Sequence, residues 1–274
     1  MNPLHRLLLM GVLLLAALPA RAAFDQDHAA WNALLAPHVS WNAAGTTTQV
    51  DYAGFARDRA RLDAYVKTLG AVPRADYERW SWPQRQAFLI NAYNAATVQL
   101  VLTRYPKLDS IKEIGGLLSS PWKRRFVPLL GQTRSLDDIE HGLLRGAPEY
   151  RDPRIHFAVN CASLGCPALR PEAFTAAQLD AQLRDQTRRF VRDRSRNRVR
   201  AAMTGGRVTL ELSSIFDWYG GDFARAGGVA GFVAGYADAI GASPAQAAAL
   251  RAGKVELRFL DYDWSLNDRA GRAR

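Results

Sequence analysis

Apolar positions recur along this chain mainly at helical spacing, with shorter stretches of strand-like alternation between them. Phe55, Leu62, Tyr65, Val66 and Leu69 follow Val50-Asp51-Tyr52 at near-helical intervals and stop at Gly70 and Pro73, which predicts an amphipathic helix. Pro83 stands where a first-turn proline is tolerated. From there Phe88, Leu89, Ile90, Tyr93, Ala95, Ala96, Val98, Leu100, Val101 and Leu102 run to Tyr105-Pro106. Apolar nearly all round, this segment reads as the central buried helix. Gln84, Asn91 and Asn94 share one stripe of it. A buried amide without partners costs about 1 to 3 kcal/mol, so these side chains either clamp a neighbouring loop or line a site.

Residues 125–134 read as a small hairpin around Gly131. Ser135 then opens a helix with Asp138 in the third position of a capping box and Leu136, Ile139 and Leu143 as its buried stripe; Glu140, His141 and Arg145 ride on it. Residues 154–160 alternate and are rich in Ile, Phe and Val, which predicts a strand ending at Cys161. A helix over 175–193 turns Leu179, Leu183 and Phe190 inward and its arginines outward. Segments 199–203 and 208–212 flank Gly205-Gly206 as a second hairpin. Residues 215–239 are helical but interrupted by glycines, 244–252 form a short helix, and Val255–Leu260 is a last strand. With no internal repeat, low-complexity tract or long linker, the expected fold is a mainly helical α+β single domain with a small antiparallel sheet.

The composition, 48% hydrophobic and 23% charged over 274 residues, is that of a folded globular protein rather than a disordered or polytopic one. The first residues change the picture. One fixed cation at Arg6, an uncharged apolar run over 7–18 and the small-x-small pattern Ala20-Arg21-Ala22 read as a signal peptide over 1–22, leaving one domain over 23–274. The run of about 12 residues is too short for the roughly 20 that span a bilayer, and no later stretch is longer, so the mature chain is expected to have no transmembrane segment. Export to the periplasm or beyond also changes what the net charge of +10 means. It favours anionic envelope surfaces over nucleic acid as partners. The excess concentrates in Arg184, Arg188, Arg189, Arg192, Arg194, Arg196, Arg198 and Arg200, either a solvated face or an anionic docking site.

The two cysteines carry the candidate chemistry. Both fall in Asn160-Cys161-Ala162-Ser163-Leu164-Gly165-Cys166-Pro167. In an exported chain the default is a disulfide closing this loop, which requires Cα atoms about 4.4 to 6.8 Å apart. The alternative is a reactive thiolate, which needs a nearby cation or base. His156 lies five residues before Cys161 and so on the opposite face of a regular strand. A bend at Asn160, or pairing of His156 with Cys166, removes that objection. Glu140, His141 or an asparagine of the central helix could serve as a third member. The spacing of 15, 5 and 5 along His141, His156, Cys161 and Cys166 matches no common zinc signature, so neither metal nor other cofactor is expected.

Several blocks in fixed order resemble a known family, the domain of unknown function number 547. They are Val50-Asp51-Tyr52, Phe88-Leu89-Ile90-Asn91-Ala92-Tyr93-Asn94-Ala95, Ser135-Leu136-Asp137-Asp138-Ile139-Glu140-His141, the run from Asp152 to Ser163, Cys166-Pro167, Phe216-Asp217-Trp218-Tyr219 with Asp222-Phe223, and Tyr262-Asp263-Trp264-Ser265-Leu266-Asn267. The resemblance brings no activity with it. It implies a shared polar site of Asn91, Tyr93, Asn94, Glu140, His141, Arg145, Arg154, His156, Asn160, Cys161 and Cys166, joined here by Ser163 beside the cysteines. Related plant domains joined to coiled-coil or glutaredoxin-like segments share the two-cysteine block, which a purely structural disulfide explains poorly. Three functions are therefore weighed. One is a thiol-dependent hydrolase or acyl transferase of the envelope, with Cys161 or Cys166 as nucleophile and His156 or His141 as base, oriented by Glu140 or Asn91. The others are a non-enzymatic binding module with a structural disulfide, and a thiol–disulfide redox protein.

Overall fold

A computed structural model describes residues 23–116, 119–147, 149–150, 152–203 and 206–271. The expected signal peptide over 1–22 and Gly205 of the second hairpin lie outside the described residues. The chain opens with α1 (Ala29–His38), a two-stranded ribbon of β1 (Val39–Trp41) and β2 (Thr48–Val50), and α2 (Tyr52–Arg57), α3 (Arg59–Gly70) and α4 (Arg74–Arg79). Asp51 caps α2 by accepting the Gly54 N–H at 2.7 Å. The expected central helix is α5 (Trp82–Val101), whose residues from Gln86 to Val98 are all buried. Gln84 does not join the amide stripe. It is the third residue of a capping box, and its Oε1 accepts the Ser81 N–H at 2.9 Å.

The hairpin of β3 (Val127–Leu129) and β4 (Gln132–Arg134) turns at Leu130 and Gly131, both at positive φ as a two-residue hairpin turn demands. Ser135 and Asp138 form the expected reciprocal cap, at 2.9 and 3.0 Å. The helix they open, Asp138–Leu144, is wound as a wide π-type turn. The added residue per turn moves the buried face along by one position, so Leu144 rather than Leu143 is fully buried, and Glu140 points inward.

One prediction is overturned. Residues 154–160 form no strand; Pro153–Phe157 is a 3-10 turn whose cap is the Asp152 carboxylate, accepting the Arg154 N–H at 2.9 Å. A capping Asp followed by Pro at the first helical position sets a helical entry that outweighs the β-branched content after it. The second half of the chain continues with α6 (Leu179–Arg192), β5 (Arg198–Met203), β6 (Arg207–Ser213), α7 (Ile215–Trp218), a 3-10 turn over Gly220–Ala226, α8 (Gly228–Ala234), α9 (Pro244–Arg251) and β7 (Val255–Leu260). Gly227 and Gly228, both at positive φ, make the break between the 3-10 turn and α8. β5 pairs antiparallel with β6 as expected, and β7 adds to the other edge of β6 in parallel, a connection that the intervening helices make possible.

The fold is thus a mainly helical α+β domain with two hydrophobic cores. One surrounds α5. The other packs Phe157, Phe190, Phe216, Phe223 and Phe232 under the three-stranded sheet. Ile155 and Ala158 belong to the first core and Phe157 to the second, so the turn that carries His156 is the seam between them. No helix among the described residues is long and apolar enough to cross a membrane.

Candidate active site

The cysteine loop is fixed from several sides by amide side chains that copy backbone hydrogen bonding. Asn94 donates to the Ala158 carbonyl at 3.0 Å and accepts the Asn160 N–H at 2.8 Å. Asn160 in turn donates to the Pro167 carbonyl at 2.7 Å and accepts the Ala162 N–H at 3.0 Å. Asn91, one turn earlier on α5, grips Phe174 in the same way, at 2.7 and 3.0 Å. All three amides are buried with both ends satisfied, so they act as clamps. Ala162, immediately after Cys161, is held at φ 63, a left-handed conformation that costs a residue with a Cβ about 1 to 2 kcal/mol. The Asn160 clamp holds it there.

Arg196 closes the loop from outside. Its guanidinium donates to the carbonyls of Gly165, at 3.0 Å, and Cys166, while Asp193 balances its charge at 2.7 Å. The other seven arginines of that basic stretch are also engaged. Arg184, Arg188 and Arg189 pair with Asp180, Asp238 and Asp185; Arg192 and Arg194 cap the carbonyls of Ala44 and Ala239; Arg198 and Arg200 share Glu211.

Cys161 and Cys166 are free thiols with sulfurs 2.7 Å apart. The expected disulfide is not formed in this structure. Each sulfur instead keeps polar partners: Cys166 Sγ accepts the Cys161 N–H at 2.7 Å, and Cys161 Sγ lies 3.3 Å from Ser163 Oγ and 3.1 Å from Tyr262 Oη. Ser163 donates to Tyr262 at 3.0 Å, leaving the phenol hydrogen to Cys161. Burial alone would raise the Cys161 pKa, but its hydrogen-bonding contacts with Cys166, Ser163 and Tyr262 together outweigh it and bring the thiol below its ordinary value. Burial and the neighbouring Cys161 push Cys166 well up. Cys161 is therefore the more readily ionised thiol of the pair.

His156 is buried and stacked on Tyr219 at 3.8 Å between ring centroids. Its Nε2 is 2.7 Å from Asp222 Oδ2, and its Nδ1 is buried without a hydrogen-bond partner. Burial lowers the His156 pKa, so the neutral ring donates from Nε2 to Asp222 and keeps a free lone pair on Nδ1. Burial opposes the Asp222 charge, but His156 and the fork of Arg145, at 2.7 and 3.0 Å, hold this carboxyl well below the usual range. Tyr150 adds a third donor at 3.1 Å. Asp222 was not among the candidates drawn from the sequence. It lies 66 residues from His156, and its only signal was a place in the Phe216–Phe223 block.

Both cysteines and His156 open onto one cavity of about 180 Å³. Glu140 and His141 also line it. The buried Glu140 accepts from Tyr219 Oη at 2.7 Å and acts on His156 through its charge rather than through a hydrogen bond. His141 sits half-exposed, its Nδ1 2.9 Å from Arg145. Tyr93 contributes to the wall from α5. Arg154 does not line the cavity; its guanidinium binds Asp152 and Asp180 at 2.7 and 2.8 Å. Trp122, Trp218, Tyr262 and Trp264 complete the wall as a connected aromatic cluster, with centroid separations from 4.4 to 5.7 Å. Among the described residues no group of His, Cys, Asp and Glu is arranged to hold a metal ion.

These features define a class: an α+β protein whose two cores meet at a cleft holding a thiol pair and an imidazole–carboxylate pair. Residues 77–191 match the model of a family described as a protein of unknown function, DUF547. The segment carries Asn91, Asn94, Glu140, His141, His156, Cys161 and Cys166 and ends before Asp222 and Tyr262. Neither a curated protein nor a solved structure matches the chain.

Proposed function

We propose that this protein is a thiol-dependent hydrolase or acyl transferase of the cell envelope, exported by a cleaved signal peptide over residues 1–22, with Cys161 as its nucleophile. The observation that carries the reading is the shared cavity: Cys161, whose thiol ionises more readily than an ordinary one, and His156, whose neutral ring keeps Nδ1 without a hydrogen-bond partner, both line the same space. Attack of Cys161 sulfur on a carbonyl carbon breaks the C–N or C–O bond and leaves a thioester. His156 takes the thiol proton at Nδ1 and gives it to the departing amine or alkoxide. Water then cleaves the thioester, passing its proton through the same nitrogen. Asp222 is the positioning residue that fixes the ring, in place of the Glu140 or Asn91 expected from sequence. Labelling the protein with iodoacetamide and locating the adduct tests this reading. Cys161 should react below the pH at which an ordinary thiol does, and His156→Ala should lose turnover of an activated thioester or ester while keeping that labelling. An unreactive Cys161 in the reduced protein refutes it.

A second reading is thiol–disulfide exchange, favoured by the 2.7 Å contact between a low-pKa, partly exposed sulfur and a high-pKa, buried one. In that reaction the pair gives up two electrons and two protons to a disulfide oxidant and closes as Cys161–Cys166. Equilibration with glutathione buffers separates the readings: a pair that stays reduced under oxidising buffers leaves only acyl chemistry.

A further inference from the structure

The substrate end that reaches Cys161 carries positive charge. We infer that the cleft takes an amine- or guanidinium-bearing substrate, a step that rests on Cys161 being its nucleophile. The chain as a whole is strongly basic, at +10, yet among the described residues no lysine or arginine lines this cavity. The acidic side chains that line it are the carboxylates of Asp137 and Glu140. Glu140 is buried at 5% exposure with one oxygen taken by Tyr219, so an ammonium group entering the cleft meets a desolvated anion. The walls suit the same ligand. Indole and phenol faces attract cations, and Trp264 already holds one, with Lys112 Nζ 3.9 Å from its ring centroid. Trp218, 49% exposed, stacks on Trp264 and extends that aromatic surface towards solvent. Three cations near the cavity, Arg145, Lys112 and the Lys123 that acts on Asp137, stay out of its lining. Arg145 is neutralised by Asp222, and Lys112 is not a lining residue. An anionic substrate would meet two carboxylates and no lysine or arginine in the lining.

The test compares two alkylating agents that differ only in charge, N-(2-trimethylammonioethyl)iodoacetamide and N-(2-sulfonatoethyl)iodoacetamide, with neutral iodoacetamide as reference. In each case the Cys161 sulfur displaces iodide and forms a thioether, so the chemistry is constant. Rates at Cys161 are divided by those of a free cysteine derivative. The inference expects the cation to react about tenfold faster than the anion at low ionic strength, falling as salt is added. The field of the whole basic protein favours the anion, so net charge does not produce this result. Glu140→Gln and, independently, the more accessible Asp137→Asn should each reduce the cation-to-anion ratio by several-fold, a ratio from which any change in the intrinsic reactivity of Cys161 cancels. Equal rates, or a faster anion, overturn the substrate class and leave the nucleophile standing. Failure of neutral iodoacetamide to modify Cys161 overturns both.

Discussion

Tyr262→Phe removes a hydrogen bond from the Cys161 sulfur while keeping the ring in its aromatic cluster. The phenol oxygen is 3.1 Å from Cys161 Sγ and accepts from Ser163 at 3.0 Å, so its own hydrogen is directed at the sulfur. A hydrogen bond to a charged group contributes about 1.5 to 3 kcal/mol, which at about 1.4 kcal/mol per pKa unit is about one to two units. Partial compensation is built in: freed of Tyr262, the Ser163 hydroxyl can turn to the sulfur 3.3 Å away. The single variant should therefore raise the Cys161 pKa by about one unit, and Tyr262→Phe with Ser163→Ala by about two. The assay is the rate of iodoacetamide alkylation at Cys161 across a pH series, read as the midpoint of the thiolate titration. The plateau above that midpoint should rise slightly, because a more basic thiolate is intrinsically more nucleophilic. An unmoved midpoint in the double variant would mean that these hydroxyls do not set the thiolate, and the proposed activation would fail with them.

Asp222→Asn should lower turnover by about 100-fold and displace the acidic limb of the pH–rate profile, since an amide no longer fixes which nitrogen of His156 carries the proton; unchanged kinetics would remove Asp222 from the mechanism. Asn94→Ala leaves the Ala158 carbonyl and the Asn160 N–H without partners in the interior, and should cost about 2 to 5 kcal/mol in urea unfolding. Burial lowers the His28 pKa from 6.5 to about 4 despite the opposing pull of Asp25, so the unfolded chain binds this proton first. The stability tied to it is intact above pH 6.5 and lost progressively down to pH 4, about 3 kcal/mol in all, and His28→Gln should flatten that slope relative to wild type.

The hydrophobic pattern reveals α3, α5, α6, the β5–β6 hairpin and β7 because each is long enough to show a period or is bounded by glycine and proline. It conceals the segment that matters most. Residues 154–160 combine Ile155, Phe157 and Val159 in a strand-like alternation, but this alternation arises from packing into two different cores, Ile155 and Val159 into one and Phe157 into the other. Two-faced burial of a turn and of a strand look alike in sequence. The ribbon of β1 and β2 is only three residues a side, too short for any period to register. The partners of the basic stretch are hidden for the opposite reason. Its charge is plain in the sequence, whereas its partners, among them Asp238, Glu211 and the carbonyls of Ala44 and Ala239, come from elsewhere in the chain.

The candidate site divides along the same line. Cys161, Cys166, His156 and the asparagine clamps come from one stretch of α5 and the loop it holds, and residue type alone brings them to notice. What gives them chemistry comes from 66 and 101 residues away, Asp222 on His156 and Tyr262 on Cys161. Both lie outside the segment 77–191. In the proposed mechanism the matched segment therefore supplies the nucleophile, the base and a rigid loop, and the second core supplies the groups that activate them. A thiol in that loop without Tyr262 would keep Cys166 and Ser163 as hydrogen-bond partners, but burial, the largest influence on Cys161, would then act against fewer of them. Reactivity at Cys161 is in this sense a property of the seam between the two cores rather than of the cysteine loop.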